Sequence, residues 1–162
     1  MCYTGCMWKT FIILLTSMVE PTLSILDTMP TVLPVQGTIS SDYGWRISPI
    51  TNKKGFHVGI DIVALLGDPI ISPADGVVLR VGSKKRLGNY IILSHAGAIT
   101  TKYGHLDEIL VEEGEEVKRG TQIATIGISG TSTGAHLHYE VLVEGQNVNP
   151  LSFYLPFSSN PK

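Results

Sequence analysis

The sequence predicts an all-β fold, a sandwich or barrel with mostly antiparallel neighbours, from three observations. Sixteen of its 17 glycines fall at or after Gly37, short β-branched runs sit between them, and only 7% of residues are aromatic. Frequent glycine and proline (9 residues) interrupt long helices, while β-branched residues suit the pleated, half-buried surface of a strand. At 162 residues, with 43% hydrophobic and 16% charged, the chain holds enough apolar side chains for one packed core.

Taken in order, the first element is an apolar run, Thr10 to Val19, preceded by Lys9 and closed by Glu20-Pro21. Ten residues are too few to span a bilayer as a helix but match the apolar part of a signal peptide, or an anchor if it is not cleaved. Membrane contact is expected only through residues 10–19. Pro21, Pro30 and Pro34 then mark a linker, so the expected organisation is 1–34 as this segment and linker, 35–156 as the domain, and 157–162 as a tail. Both cysteines, Cys2 and Cys6, lie in the first segment. A disulfide framework or a thiolate zinc site is thereby excluded from the domain, and any metal there needs imidazole, carboxylate or amide ligands.

Strands are expected at Gly76–Val81, Asn89–Ser94, Ala98–Tyr103, Gln122–Ile126 and His136–Val143, each a β-branched or alternating run flanked by glycine. Asp75-Gly76 and Gly88-Asn89 read as turn signals, Asp75 and Gly76 as hairpin chemistry only, and Glu144-Gly145 is a weaker turn signal. Helical turns are expected only at His105–Val111 and Pro150–Leu155. The acidic run from Asp107 to Glu116 reads as a solvated face. Twelve basic against 14 acidic residues, a formal charge of −2, give no footprint for nucleic acid.

Chemistry concentrates in the histidines. In His57-Val-Gly-Ile-Asp61 the two polar groups would stand roughly 13 Å apart in an extended strand at ~3.3 Å per residue. Val, Gly and Ile disfavour a helix, so convergence requires a bent lead-in to a strand with Gly59 at the kink. The same letters also describe a turn histidine beside a surface aspartate. In His136-Leu-His138 the period of two puts both imidazoles on one face, roughly 6–7 Å apart at the backbone; a strand with two outward polar residues has the same pattern. His105, in Tyr103-Gly-His-Leu, ends a strand. Together these groups fit a catalytic metal site, in which three protein ligands leave one position open to water. His95 has no motif role and reads as structural.

The order and spacing of further stretches are more specific than any one motif. They are Ser41-Asp-Tyr-Gly-Trp-Arg46, Ser72-Pro-Ala-Asp-Gly-Val-Val78, Gly114-Glu-Glu-Val-Lys-Arg-Gly120, Gly127-Ile-Ser-Gly-Thr-Ser-Thr-Gly-Ala-His-Leu-His-Tyr-Glu140 and Val148-Asn-Pro150. With the histidine motifs, they make residues 35–155 resemble the LytM/lysostaphin-type metallopeptidases, peptidase family M23. The resemblance implies two stacked antiparallel sheets (β-sandwich-like, of the duplicated hybrid motif type) with a groove over the metal. It implies one Zn2+ per chain on His57, Asp61 and His138, with His105 and His136 as the catalytic pair. Arg46 either contacts a substrate carboxylate or braces a loop, and Ser132 and Thr133, like Ser129 and Thr131, either line the groove or serve their own turn. Ala135 replaces the proline that commonly precedes His-x-His. The implied activity is zinc-dependent hydrolysis of peptide cross-links in bacterial peptidoglycan, D-alanyl–diaminopimelate favoured over glycyl-glycine, at the cell envelope. Rival readings are an envelope-binding regulator that has lost its zinc ligands, a biotinyl- or lipoyl-like carrier and a histidine phosphocarrier. No ligand is missing here, Lys102 is not at a recognisable carrier hairpin, and a phosphocarrier leaves Asp61 unexplained.

Overall fold

The computed structural model describes residues 25–47 and 52–154, so the expectations for residues 10–19, the two cysteines and the 157–162 tail lie outside the described residues. Its regular secondary structure is almost entirely strand. A short helix α1 (Ile25–Thr28) precedes β1 (Thr38–Ser41), β2 (Gly44–Ile47), β3 (Lys54–His57), β4 (Ile60–Val63), β5 (Pro69–Ile71) and β6 (Gly76–Lys84). Then follow β7 (Gly88–Ser94), β8 (Ile99–Ile109), β9 (Glu116–Val117), β10 (Gln122–Ile126), β11 (His136–Val143) and β12 (Gln146–Val148), with a 3-10 turn at Pro150–Ser152.

Ten strands join one antiparallel sheet in the order β1-β4-β11-β8-β7-β6-β9, with β12 on β11, β10 on β8 and β5 on β10. The second sheet is the small ribbon β2-β3. The all-β expectation therefore holds, with strand distribution strongly uneven between the two sheets. Period-two alternation builds the core: Leu137, Tyr139 and Val141 of β11 are at most 2% exposed and pack with Ile60, Ile62, Ile91, Leu93, Tyr103, Leu106, Ile123 and Ile126. Each such aliphatic contributes ~1.5–3 kcal/mol by leaving water. The alternate residues of β11, His136, His138 and Glu140, are thereby committed to the opposite face.

Strand β8 positions the site. One edge pairs with β7, while the other pairs with β11 through Ile99–Gly104 and with β10 at Leu106 and Ile109. Between Tyr103 and Leu106 the strand holds one residue more than β7 does between Ile91 and Asn89. His105 sits in this bulge with φ of 63°, a left-handed conformation that is uncommon for histidine. The sheet thus forks at His105, between β10 and β11.

Four local expectations are corrected. Residues His105–Val111 form no helical turn, because β8 continues through Ile109 and His105 lies inside it rather than at its end. Asp75-Gly76 joins β5 to β6, which are not partners; Asp75 instead accepts from Arg119 N at 2.8 Å and pairs with Lys118 at 2.9 Å. Gly88-Asn89 already belongs to β7, the turn falling at Lys85–Leu87. At the C-terminal end the helical turn is confined to Pro150–Ser152, capped by Asn149. Glu144-Gly145, the weaker signal, makes the tight β11–β12 turn with φ of 51° and 77°.

Candidate metal centre

His57 and Asp61, four residues apart, belong to different sheets. His57 ends β3 in the ribbon, the chain bends through Val58-Gly59, and Asp61 lies in β4 of the large sheet. A Cβ on Gly59 would stand 2.3 Å from Tyr139 O, so only glycine permits this crossing over β11. The bent lead-in inferred from the letters is the observed path. Strand register supplies the third group: His138 is paired with Asp61 across β11 and β4.

The three donor atoms lie very close together. His138 Nδ1 is 2.8 Å from Asp61 Oδ1, His57 Nε2 is 3.2 Å from the same oxygen, and the two ring nitrogens are 3.2 Å apart. His57 Nδ1 donates to Asp42 O at 2.8 Å, which leaves its Nε2 to carry the lone pair toward the cluster. Arg46, on the inward face of β2, donates to Asp61 Oδ2 at 3.2 Å, so the two carboxylate oxygens face different partners. The Arg46 side chain thereby braces the Asp61 carboxylate.

Burial disfavours the charge on Asp61, but the neighbouring His138 and His57 prevail and hold its pKa below the usual 3.8. Burial likewise opposes protonation of His138, yet Asp61 and Glu140 push its pKa up to about 9. The imidazoles of His57 and His138 and the carboxylate of Asp61 thus converge on one point, with Glu140 on the far side of the His138 ring. Two nitrogens, one carboxylate oxygen and no sulfur form a donor set that fits zinc.

His105 and His136 flank this cluster. Their ring centroids are 4.7 Å apart, that of His105 is 6.2 Å from His138, and His136 Nε2 is 3.9 Å from Asp61 Oδ1. Both rings use Nδ1 for backbone carbonyls, His105 to Ser129 O at 2.8 Å and His136 to Gly134 O at 2.9 Å, leaving each Nε2 as an acceptor. Burial, reinforced by the neighbouring His136 and His138, lowers the pKa of His105 from 6.5 despite its bond to Ser129. Ser129 Oγ in turn donates to Leu106 O at 2.7 Å and accepts from Asn89 N at 2.9 Å, fixing the loop that orients His105. Ser132 Oγ donates to Gly134 O at 2.6 Å and sits 3.2 Å from His136 Nδ1, a turn contact beside the catalytic-pair candidate. Thr133 is exposed in the same turn. His95 lies elsewhere, bonded to Asp75 O and Thr101 Oγ1, both at 2.8 Å.

One neighbour went unread in the sequence. Glu140 is 7% exposed and its Oε1 accepts from His138 Nε2 at 3.3 Å. Its Oε2 accepts from Lys102 Nζ at 3.2 Å and Asn147 Nδ2 at 2.8 Å. Burial opposes its charge, but His138 and Asn147 lower its pKa to about 2. The signal was the period of two, which carries the face of His136 and His138 on to position 140.

Comparison with known proteins agrees with this geometry. Residues 55–150 match the family profile of Peptidase family M23. The chain is 43% identical over 118 residues to the DD-carboxypeptidase/endopeptidase Mpg of Neisseria meningitidis, covering 73% of this chain and 27% of that protein. It is 37% identical over 128 residues to the peptidoglycan DD-endopeptidase ShyA of Vibrio cholerae, covering 74% and 30%. The chain thus spans under a third of the length of these two relatives. Among solved structures, a zinc-containing peptidase from Vibrio cholerae superposes with a TM-score of 0.69 at 39% identity, over 74% of this chain and 38% of that one. With the profile match covering more than half of its residues, the chain belongs to peptidase family M23.

Proposed function

We propose that residues 35–156 form a zinc-dependent endopeptidase domain that hydrolyses peptide cross-links of bacterial peptidoglycan at the cell envelope, D-alanyl–diaminopimelate in preference to glycyl-glycine. The observation that carries this reading is the convergence of His57 Nε2, Asp61 Oδ1 and His138 Nδ1 within 3.2 Å of one another, with His105 and His136 alongside. The two relatives, a DD-carboxypeptidase/endopeptidase and a peptidoglycan DD-endopeptidase, support the substrate class. No helix among the described residues is long and apolar enough to cross a membrane.

His57, Asp61 and His138 would hold one zinc ion, with Arg46 keeping Asp61 Oδ2 turned away from it. Bound there, zinc supplies Lewis acidity toward a carbonyl and lowers the pKa of a water toward ~7. His105, kept neutral by burial and fixed through Ser129, presents Nε2 to accept a proton from the attacking water. His136 presents Nε2 from the neighbouring strand, fixed through Gly134, and the two rings divide the tasks of taking a proton and returning it to the leaving amine. A ring that carries the proton also stabilises the developing oxyanion.

The test is mass analysis of sacculi digested with the zinc-loaded chain, using walls of both cross-link types. Conversion of D-alanyl–diaminopimelate dimers to monomers is expected. Cleavage of glycyl bridges alone would overturn the bond preference, and intact cross-links in both walls would overturn the activity.

A further inference from the structure

We propose that Glu140, clamped by Lys102 and Asn147, is a positioning residue that holds the His138 imidazole with Nδ1 toward Asp61 and His57. The inference rests on the metal-site reading above and concerns which ring nitrogen is offered to the ion. An imidazole on a strand can turn either nitrogen inward unless a partner fixes the other one.

The geometry supplies that partner. Glu140 is two residues from His138 on the same face of β11, and its Oε1 lies 3.3 Å from His138 Nε2. Its other oxygen is occupied twice, by Lys102 Nζ at 3.2 Å and Asn147 Nδ2 at 2.8 Å, so the carboxylate cannot swing away without breaking two bonds. Lys102 is the direct cross-strand neighbour of Glu140 on β8. A surface ion pair needs no more than that. Asn147, however, reaches in from β12 and donates also to Val58 O at 3.0 Å. Val58 belongs to the bend between His57 and Asp61, so one amide ties the backbone of the first two ligands to the carboxylate behind the third. Tyr43 OH donates to Asn147 O at 2.9 Å and anchors the same strand from the ribbon side.

Zinc affinity by chelator competition is measured for the full chain, E140Q and E140A, with T101A as a control. Thr101, next to Lys102 on β8 but buried on the core face, bonds His95 and Tyr103 and reports general destabilisation alone. E140A is expected to bind zinc 10–100-fold more weakly, E140Q less severely because its amide oxygen still accepts from Nε2–H, and T101A as tightly as the parent. In the zinc-loaded proteins, the His138 Nε2–H proton is expected to be protected from exchange in the parent and to exchange faster in E140A. An E140A affinity within threefold of the parent, an equal loss in T101A, or an unchanged exchange rate overturns the proposal. A parent chain that fails to take up about one zinc would instead overturn the metal-site reading itself. Should E140A fail to fold, E140Q and N147A carry the same comparison, and neither differing from the parent overturns it.

Discussion

His138 and His95 are both largely enclosed, both bonded through each ring nitrogen, and held in opposite states. Burial disfavours the charged ring in both cases. Around His138 the partners are the carboxylates of Asp61 and Glu140, and its pKa is pushed up to about 9. Around His95 they are the Asp75 carbonyl and the Thr101 hydroxyl, and burial prevails, lowering its pKa from 6.5. The chain continues neutrally from Thr101 to the Tyr103 hydroxyl at 2.9 Å. Burial alone therefore does not mark a functional histidine. What distinguishes the site is that two imidazole nitrogens and a carboxylate oxygen converge on one point, a donor set that a divalent cation would take.

The strongest way to break this contrast is to remove a ligand on one side only. His57→Ala, Asp61→Ala and His138→Ala are each expected to reduce zinc from about one per chain to near none, with hydrolysis at background, as read by atomic absorption and muropeptide release. Full metal and full turnover in all three would abolish the distinction. Next in size, His105→Ala and His136→Ala should keep the metal while kcat/KM falls by about 10²–10⁴-fold, the usual contribution of a general acid or base; metal loss in either would move that residue into the ligand set.

The other region should respond in stability instead. His95→Gln is expected to leave zinc content and turnover unchanged and to cost ~1–3 kcal/mol in urea unfolding, because it strands the partners of a buried ring. It should also change the pH dependence. With the folded pKa lowered, the unfolded chain binds the extra proton, so stability falls as pH drops below the ordinary 6.5 and continues to fall down to the folded pKa. That portion of the acid sensitivity should vanish in His95→Gln, and identical slopes in both proteins would exclude His95 as its source. The smallest effect sharpens the contrast within the core. Tyr139 OH is buried with no hydrogen-bond partner among the described residues, so Tyr139→Phe should be neutral or stabilising, whereas Tyr103→Phe should cost ~0.5–1.5 kcal/mol. Thermal melts of the two variants check the sign.

Local pattern carried much of the fold. The runs at 76–81, 89–94, 122–126 and 136–143 all became strand, and that at 98–103 did from Ile99 on, because β-branched alternation and glycine punctuation are properties of short segments. Reading failed where partners decided. Residues 105–111 read as a helical turn because a bulge interrupts their alternation, yet β7 and β10 keep the strand going through Ile109. Asp75-Gly76 has hairpin letters, but the strands it joins pair elsewhere, and Gly76 is required by the nearby Ser94 carbonyl and His95 ring rather than by a turn.

The sequence by itself determined that the core is β, that residues 35–156 contain no cysteine, and that His136 and His138 share a face, since composition and a period of two are local facts. Only the tertiary structure decided that His57 and Asp61 meet, because that needs a chain passing from one sheet to another over Tyr139. It alone placed Arg46 on Asp61 and Glu140, Lys102 and Asn147 behind His138. Those contacts join residues as far as 38 positions apart, and strand order, which no short segment encodes, sets which of them become neighbours.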